Sequence, residues 1–117
     1  MPSESSRPID VWRLRISRER RDGGVVLRLT GRIGAASVAE LSTELEALIE
    51  EGERRLVIDL EEIDYVSGEG LRTLDAARSR LAASEGRLVL RGMGDAVRIA
   101  FELAGLAERF SIEESQA

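Results

Sequence analysis

Two early segments alternate apolar and polar side chains, the period of a half-buried strand. Residues 12–16 alternate Trp, Leu and Ile with arginines, and residues 25–30 place Val, Leu and Leu on one face with Arg28 and Thr30 on the other. An Arg-Asp-Gly-Gly turn signal at residues 21–24 separates the two segments. The pattern predicts an antiparallel hairpin.

Three later segments carry apolar residues at the spacing of an amphipathic helix. The first helix is predicted to begin at Ser37 as its N-cap and to stop at Gly52. The second is predicted to end near Gly86, and the third is followed by Gly105. The three apolar stripes are Val38, Leu41, Leu45, Leu48 and Ile49; Leu71, Leu74, Ala77 and Leu81; and Val97, Ala100, Phe101 and Ala104.

Short apolar runs predict three further strands. Residues 56–60 are nearly continuous apolar, as expected of a strand covered on both faces. Residues 88–90 form another buried run, and a short strand is predicted around Phe110 and Ile112. Alternating strands and helices require crossover connections, which are right-handed between parallel strands. The sequence therefore predicts an α/β fold in which helices pack on one small, mixed, largely parallel sheet.

Length and composition fit one globular domain. The 117 residues, 43% of them hydrophobic, suffice for a single core. We assign the domain to residues 10–114, between a flexible tail at 1–9 and a C-terminal tail at 115–117. No apolar run reaches the roughly 18 residues that span a bilayer, and the first ten residues lack the apolar stretch of a secretory signal. We expect a cytoplasmic protein that does not insert into membranes.

The net charge of −5 is unevenly distributed. Residues 1–34 carry eight arginines against four acids, a net of +4, and residues 35–69 carry two arginines against eleven acids, a net of −9. The acidic segment fits either an interaction surface for basic partners or a solvated helix face. Arg13, Arg15 and Arg28 share the predicted hairpin, but the overall acidity and low aromatic content argue against nucleic-acid binding.

The residue types behind most catalytic chemistry are missing. The chain has no histidine, cysteine or lysine, which removes the commonest general base, the thiolate nucleophile, and the histidine and thiolate metal ligands. The glycine pairs at 68/70 and 92/94 do not complete a dinucleotide- or phosphate-binding motif. The composition predicts a non-enzymatic protein with no cofactor and no metal site.

Residues 58–71 have the most individual character. A buried strand leads through a short Ser-Gly loop into a helix, whose free N–H groups favour negative charge. A regulatory phosphate would be accommodated here, and Glu69 supplies a smaller, permanent charge. Alternatively, Ser67 only caps the helix and Glu69 only complements its dipole. The residues alone leave both interpretations open.

Four motifs in order resemble the STAS domain family, the anti-sigma factor antagonists and their relatives, over residues 9–113. Residues 27–33 are similar to the family's second strand and turn, and residues 56–60 to its central strand. Residues 63–71 are similar to the "aromatic-hydrophobic-D-S-S-G-L" signature, and residues 101–110 to the closing "F-x-x-(S/T)-G-L" segment. The resemblance implies a regulatory protein that binds an anti-sigma factor, a histidine-kinase-like ATPase, and so frees a sigma factor.

In this family, phosphorylation of the first serine in D-S-S-G-L blocks that binding. Alignment on the Gly-Leu pair places Gly68 at the phosphoacceptor position, with Ser67 at the preceding Asp and Glu69 at the second serine. Gly34 stands where the second strand's turn usually carries an acid. We therefore expect no phosphorylation at the usual position, with Ser67 as the nearest substitute.

The resemblance also implies a docking surface made of the turn after the second strand and the loop before the second helix. Its residues are Gly31, Arg32, Ile33, Gly34, Ser67, Gly68, Glu69, Gly70 and Leu71. A second possibility within the family is the small STAS subunit of a lipid-transporting ABC system, a role that dispenses with phosphorylation and therefore suits the altered loop.

Overall fold

The predicted hairpin forms the first part of the sheet in a computed structural model that describes residues 14–114. Strand β1 (Arg15–Arg21) pairs antiparallel with β2 (Gly24–Ile33). Asp22 and Gly23 connect them with positive φ angles of 50° and 81°, as a tight two-residue hairpin turn requires. The hairpin prediction is confirmed; its first residue, Trp12, lies outside the described residues, as do the predicted tails at 1–9 and 115–117.

The remaining elements follow in the predicted order. They are α1 (Val38–Glu50), β3 (Arg55–Val66), α2 (Gly68–Ala83), β4 (Arg87–Arg91), α3 (Asp95–Leu103), a short 3-10 turn (Ala107–Arg109) and β5 (Ser111–Glu113). The spatial order of the strands is β1-β2-β3-β4-β5, and β2 to β5 pair in parallel. The predicted α/β fold with a mixed, largely parallel sheet is confirmed. The 3-10 turn was not predicted.

All three helices pack on one face of the sheet. The helix residues Leu41, Leu74 and Phe101 are 0% exposed and belong to a single hydrophobic cluster. Phe101 also meets Phe110 edge-to-face at 5.5 Å between ring centroids, which closes α3 over the sheet end. Most strand residues in the same cluster alternate along each strand: Val25, Leu27, Leu29, Leu56, Ile58, Leu60, Leu88 and Leu90.

Among residues 14–114, helices cover only one face of residues 56–60. Val57 and Asp59 point away from the helix-packed cluster, yet Val57 is partly buried and Asp59 is 6% exposed. The neighbours of Val57 on this second face, Val26 and Val89, are buried too, and Arg28 and Arg91 pair with Asp59. The expected burial on both faces is therefore largely confirmed; we call the second face, on which no described helix packs, the open face.

Two predicted boundaries also differ in the structure. Strand β3 continues to Val66, well beyond Leu60, because Ile63 and Val66 keep turning apolar side chains into the core at 5% and 7% exposure. Two irregularities in its pairing with β2 accommodate this extension. At the other end of the chain, Ala104 is exposed and lies just after α3 rather than in its apolar stripe.

Candidate protein-docking site

The carboxyl ends of β2 and β3 meet the start of α2 at one corner of the molecule. The Ser67 N–H donates to the Ile33 carbonyl oxygen at 2.8 Å, which joins the two strand ends. A Cβ atom at Gly70 would stand 2.6 Å from Ile33 Cγ2 and 3.2 Å from Val66 Cγ1. Only glycine therefore lets α2 begin this close to the sheet.

Ser67 caps α2. Its backbone is extended and its Oγ accepts a hydrogen bond from the Gly70 N–H at 3.0 Å, the geometry of an N-cap. The Ser67 carbonyl oxygen also accepts from the Leu71 N–H at 2.9 Å. The capping interpretation is confirmed, and phosphorylation of Ser67 stays a prediction.

Ser37 holds the facing loop, between β2 and α1, in a different way. It occupies the N-cap position of α1, but its side chain makes no capping hydrogen bond. Instead its Oγ accepts from the Gly34 N–H and donates to the Arg32 carbonyl oxygen, both at 3.1 Å. The prediction that Ser37 is the N-cap of α1 is therefore confirmed in position, while the hydroxyl of this buried residue closes the loop against β2.

The nine predicted docking residues separate into a buried frame and an exposed rim. Ile33, Gly70 and Leu71 are buried, with Ile33 at 0% exposure, so their side chains support the corner from inside. Gly68 and Glu69 are exposed. Four residues are partly exposed around them: Gly31, Arg32, Gly34 and Ser67.

Three side chains beside this corner were not among the predicted residues: Asp64, Tyr65 and Arg72. The Arg32 guanidinium lies 4.9 Å above the ring of Tyr65, and its Nε is 3.9 Å from Asp64 Oδ1. Tyr65 is 44% exposed. On α2, Arg72 Nη1 lies 3.7 Å from where a Cβ at Gly68 would stand, which follows from the i, i+4 spacing on a helix.

The open face of the sheet carries a separate charged cluster around Asp59. Its carboxylate accepts from the Glu61 N–H at 3.0 Å, from Arg91 at 3.2 Å and from Arg28 at 3.5 Å. Burial, the largest influence, would raise the pKa of Asp59, but these hydrogen bonds outweigh it and hold the pKa below its ordinary value. Arg28 is thus engaged by a carboxylate rather than part of a free basic patch.

Part of the acidic middle segment pairs with β1. Arg18 bonds Glu44 at 2.9 Å and Glu51 at 3.3 Å, and Arg20 bonds Glu53. The uneven charge along the sequence is therefore partly balanced in space. Across residues 14–114, no group of three or more acidic side chains is placed to hold a metal ion, and no helix in this part of the chain is long and apolar enough to cross a bilayer.

These features define a class of protein: a small α/β binding module that presents a strand-to-helix corner and has no catalytic constellation among its described residues. A family model described as "Mlab, STAS domain" matches residues 16–113. The chain belongs to the STAS domain family, and the prediction of a regulatory, non-catalytic protein is confirmed by that membership and its relatives.

Several relatives of this chain are anti-sigma factor antagonists. It is 33% identical over 103 residues to BtrV of Bordetella bronchiseptica, a candidate anti-sigma factor antagonist, with 88% of this chain and 89% of BtrV covered. It is 24% identical to the anti-sigma-B factor antagonist of Staphylococcus aureus, with 86% and 94% covered. The crystal structure of an anti-sigma factor antagonist from Mycobacterium paratuberculosis superimposes with a TM-score of 0.78 at 26% identity, covering 86% and 85%.

Proposed function

We propose that this protein is an anti-sigma factor antagonist of a partner-switching pathway, which binds a cytoplasmic anti-sigma factor of the histidine-kinase-like ATPase class through the corner. The observation that carries the proposal is the exposure of Gly68 and Glu69 on a frame fixed by buried side chains and backbone hydrogen bonds. Preorganised surfaces of this kind lose little conformational entropy on binding. The naming of relatives as anti-sigma factor antagonists supports the same role.

The charge of the corner is proposed to be fixed rather than switched. Gly68 offers no hydroxyl at the position that aligns with the family's phosphoacceptor, and Ser67 is already used as a helix cap. Glu69 provides one permanent negative charge in the first turn of α2. Regulation would then depend on the amounts of the partners rather than on a phosphate.

A binding measurement tests the partner assignment. Purified histidine-kinase-like anti-sigma factors of the same organism are titrated, one by one, into the full chain by calorimetry. We expect one of them to bind the wild-type chain and Glu69→Arg to weaken that binding by about tenfold, because a reversed charge at a docking rim is repelled. Glu102→Arg on α3, also exposed, is the matched control and should bind normally.

A phosphorylation assay tests the fixed charge. The full chain is incubated with the same anti-sigma factors and ATP, and the products are analysed by mass spectrometry. We expect an unmodified corner. Phosphate on Ser67 would show that the switch has moved by one residue, and the fixed-charge proposal would then be abandoned.

The alternative role, as the STAS subunit of a lipid-transporting ABC system, is favoured by one observation: the corner lacks a serine at the usual phosphoacceptor position. Purification of the tagged full chain from its host separates the two roles. Co-purification of a transport ATPase and permease, without any anti-sigma factor, would replace the first proposal by the second.

A further inference from the structure

A groove of about 620 Å³ runs between α1 and α2 and opens at the corner. Leu45 and Ile49 of α1 and Ala77 of α2 form its buried floor. Small exposed side chains, Ala39 on α1 and Ala76 on α2, leave the space above that floor unfilled. The sheet-packed core lies beneath the floor, so the groove is an apolar surface that the described residues leave uncovered.

The size of the groove suits one helix. Its lining on α1 extends from Val38 to Ile49, which at about 1.5 Å per residue is about 17 Å, or three helical turns. Helices commonly bind in grooves of this kind by inserting apolar residues spaced three and four apart.

The two walls carry different charges. Helix α1 contains four glutamates and no basic residue, and Glu46 stands on its groove side. The α2 wall contributes Arg72 and Arg80, with Glu69 as its one acidic residue at the end nearest the corner. Arg80 Nη1 and Glu46 Oε2 face each other across the far end at 4.0 Å, with side chains 46% and 57% exposed. An exposed pair at this distance is weak, so a bound segment can displace it at little cost.

We propose that this groove receives an amphipathic helix of the protein partner, with basic residues on the flank that faces α1 and acidic residues on the flank that faces α2. This inference rests on the proposed function and extends the docking surface from the corner along both helices. Glu69 and Arg72 line the end nearest the corner, so one partner can contact rim and groove together.

The test fills the groove without touching the corner. Ala76→Trp is compared with Ala82→Trp, which adds the same side chain at an exposed position of α2 that does not line the groove. In calorimetry against the anti-sigma factor that binds the wild-type chain, Ala76→Trp should weaken binding by about tenfold or more, and Ala82→Trp should not. Ala39→Trp, on the opposite wall, should reproduce the loss, and circular dichroism checks that each variant is folded.

The outcomes separate this inference from the proposed function. If Glu69→Arg weakens binding while both groove variants bind normally, the corner docks alone and the groove proposal is overturned. If the wild-type chain binds none of the anti-sigma factors, both proposals fail. If light scattering shows a wild-type dimer that Ala76→Trp dissociates, the groove belongs to a second copy of this chain.

The charge pattern has its own test. Arg80→Glu should weaken binding by about threefold at low salt, and less at high salt because exposed charges are screened. Arg54→Glu, at another exposed arginine in the loop after α1 that does not line the groove, is the matched control. Equal affinity for Arg80→Glu and the wild-type chain would refute the acidic flank assigned to the partner helix.

Discussion

Replacing Asp59 by Asn tests the charged cluster on the open face of the sheet. The Asp59 side chain is 8% exposed, and the Arg91 side chain that bonds it is 15% exposed. Asparagine keeps an oxygen for the Glu61 N–H, but it removes the negative charge and turns an amide N–H₂ group towards an arginine. The substitution therefore isolates the interaction with the guanidinium groups from the backbone hydrogen bond.

The expected loss follows from these contacts. A hydrogen bond between charged groups contributes about 1.5–3 kcal/mol when solvent is largely excluded. The second arginine, Arg28, adds little because its side chain is 46% exposed and its contact is 3.5 Å long. We expect Asp59→Asn to lower the free energy of unfolding by about 2 kcal/mol at neutral pH, measured by urea denaturation with circular dichroism.

The loss of stability in Asp59→Asn should depend on pH, in a direction set by the pKa of Asp59. Because the folded-state pKa of Asp59 lies below its ordinary value, its carboxylate stabilises the fold above the unfolded-state pKa of about 3.9, and that contribution is lost as the pH falls through the folded-state pKa. The difference between variant and wild type should therefore shrink in acid. Asp64→Asn, on the same strand but 85% exposed, should change stability little at any pH. An Asp59→Asn variant as stable as the wild type at pH 7 would refute the reasoning.

Two predictions concern the frame of the corner, measured as free energies of unfolding. Gly70→Ala should cost about 1–3 kcal/mol because its Cβ would overlap Ile33, whereas Gly68→Ala, whose Cβ meets only the end of Arg72, should be neutral or slightly stabilising; equal effects would contradict the close packing of α2 on the sheet. Ser67→Ala should cost about 1 kcal/mol through loss of the cap, and Ser67→Asp should restore most of it; no loss in the alanine variant would mean that the cap contributes nothing.

The order of the strands and helices could be predicted from the sequence because each element has its own hydrophobic periodicity. Strand β2 and the helix stripes are regular enough to be identified without tertiary information. How the second face of β3 is covered depends on tertiary structure: nothing local shows that the arginines bonded to Asp59 come from β2 and β4. Similarly, the continuation of β3 to Val66 depends on its pairing with β2, which a reading of the chain alone does not supply.

The candidate site was predictable in position but not in construction. The Ser-Gly loop and the helix start after it were visible in the sequence, and so was the capping role of Ser67. The N-cap position of Ser37 was predicted, but the use of its hydroxyl was not: it bonds the loop before α1, and the sequence alone does not distinguish this from side-chain capping. Arg72 was not predicted as a site residue. It lies close to Gly68 because one residue separates the end of β3 from the start of α2.

Frame and charge are separable in this corner, so the side chains at its rim can change while the fold persists. The frame consists of backbone hydrogen bonds, two serine hydroxyls and a close approach at Gly70, and none of these involves Glu69 or Arg72. Replacing a surface side chain at the rim therefore costs the fold little, whereas it changes the field that a partner meets. It follows that Glu69→Arg should unfold in urea like the wild-type chain even where it no longer binds; a joint loss of stability and binding would show that rim and frame are one unit.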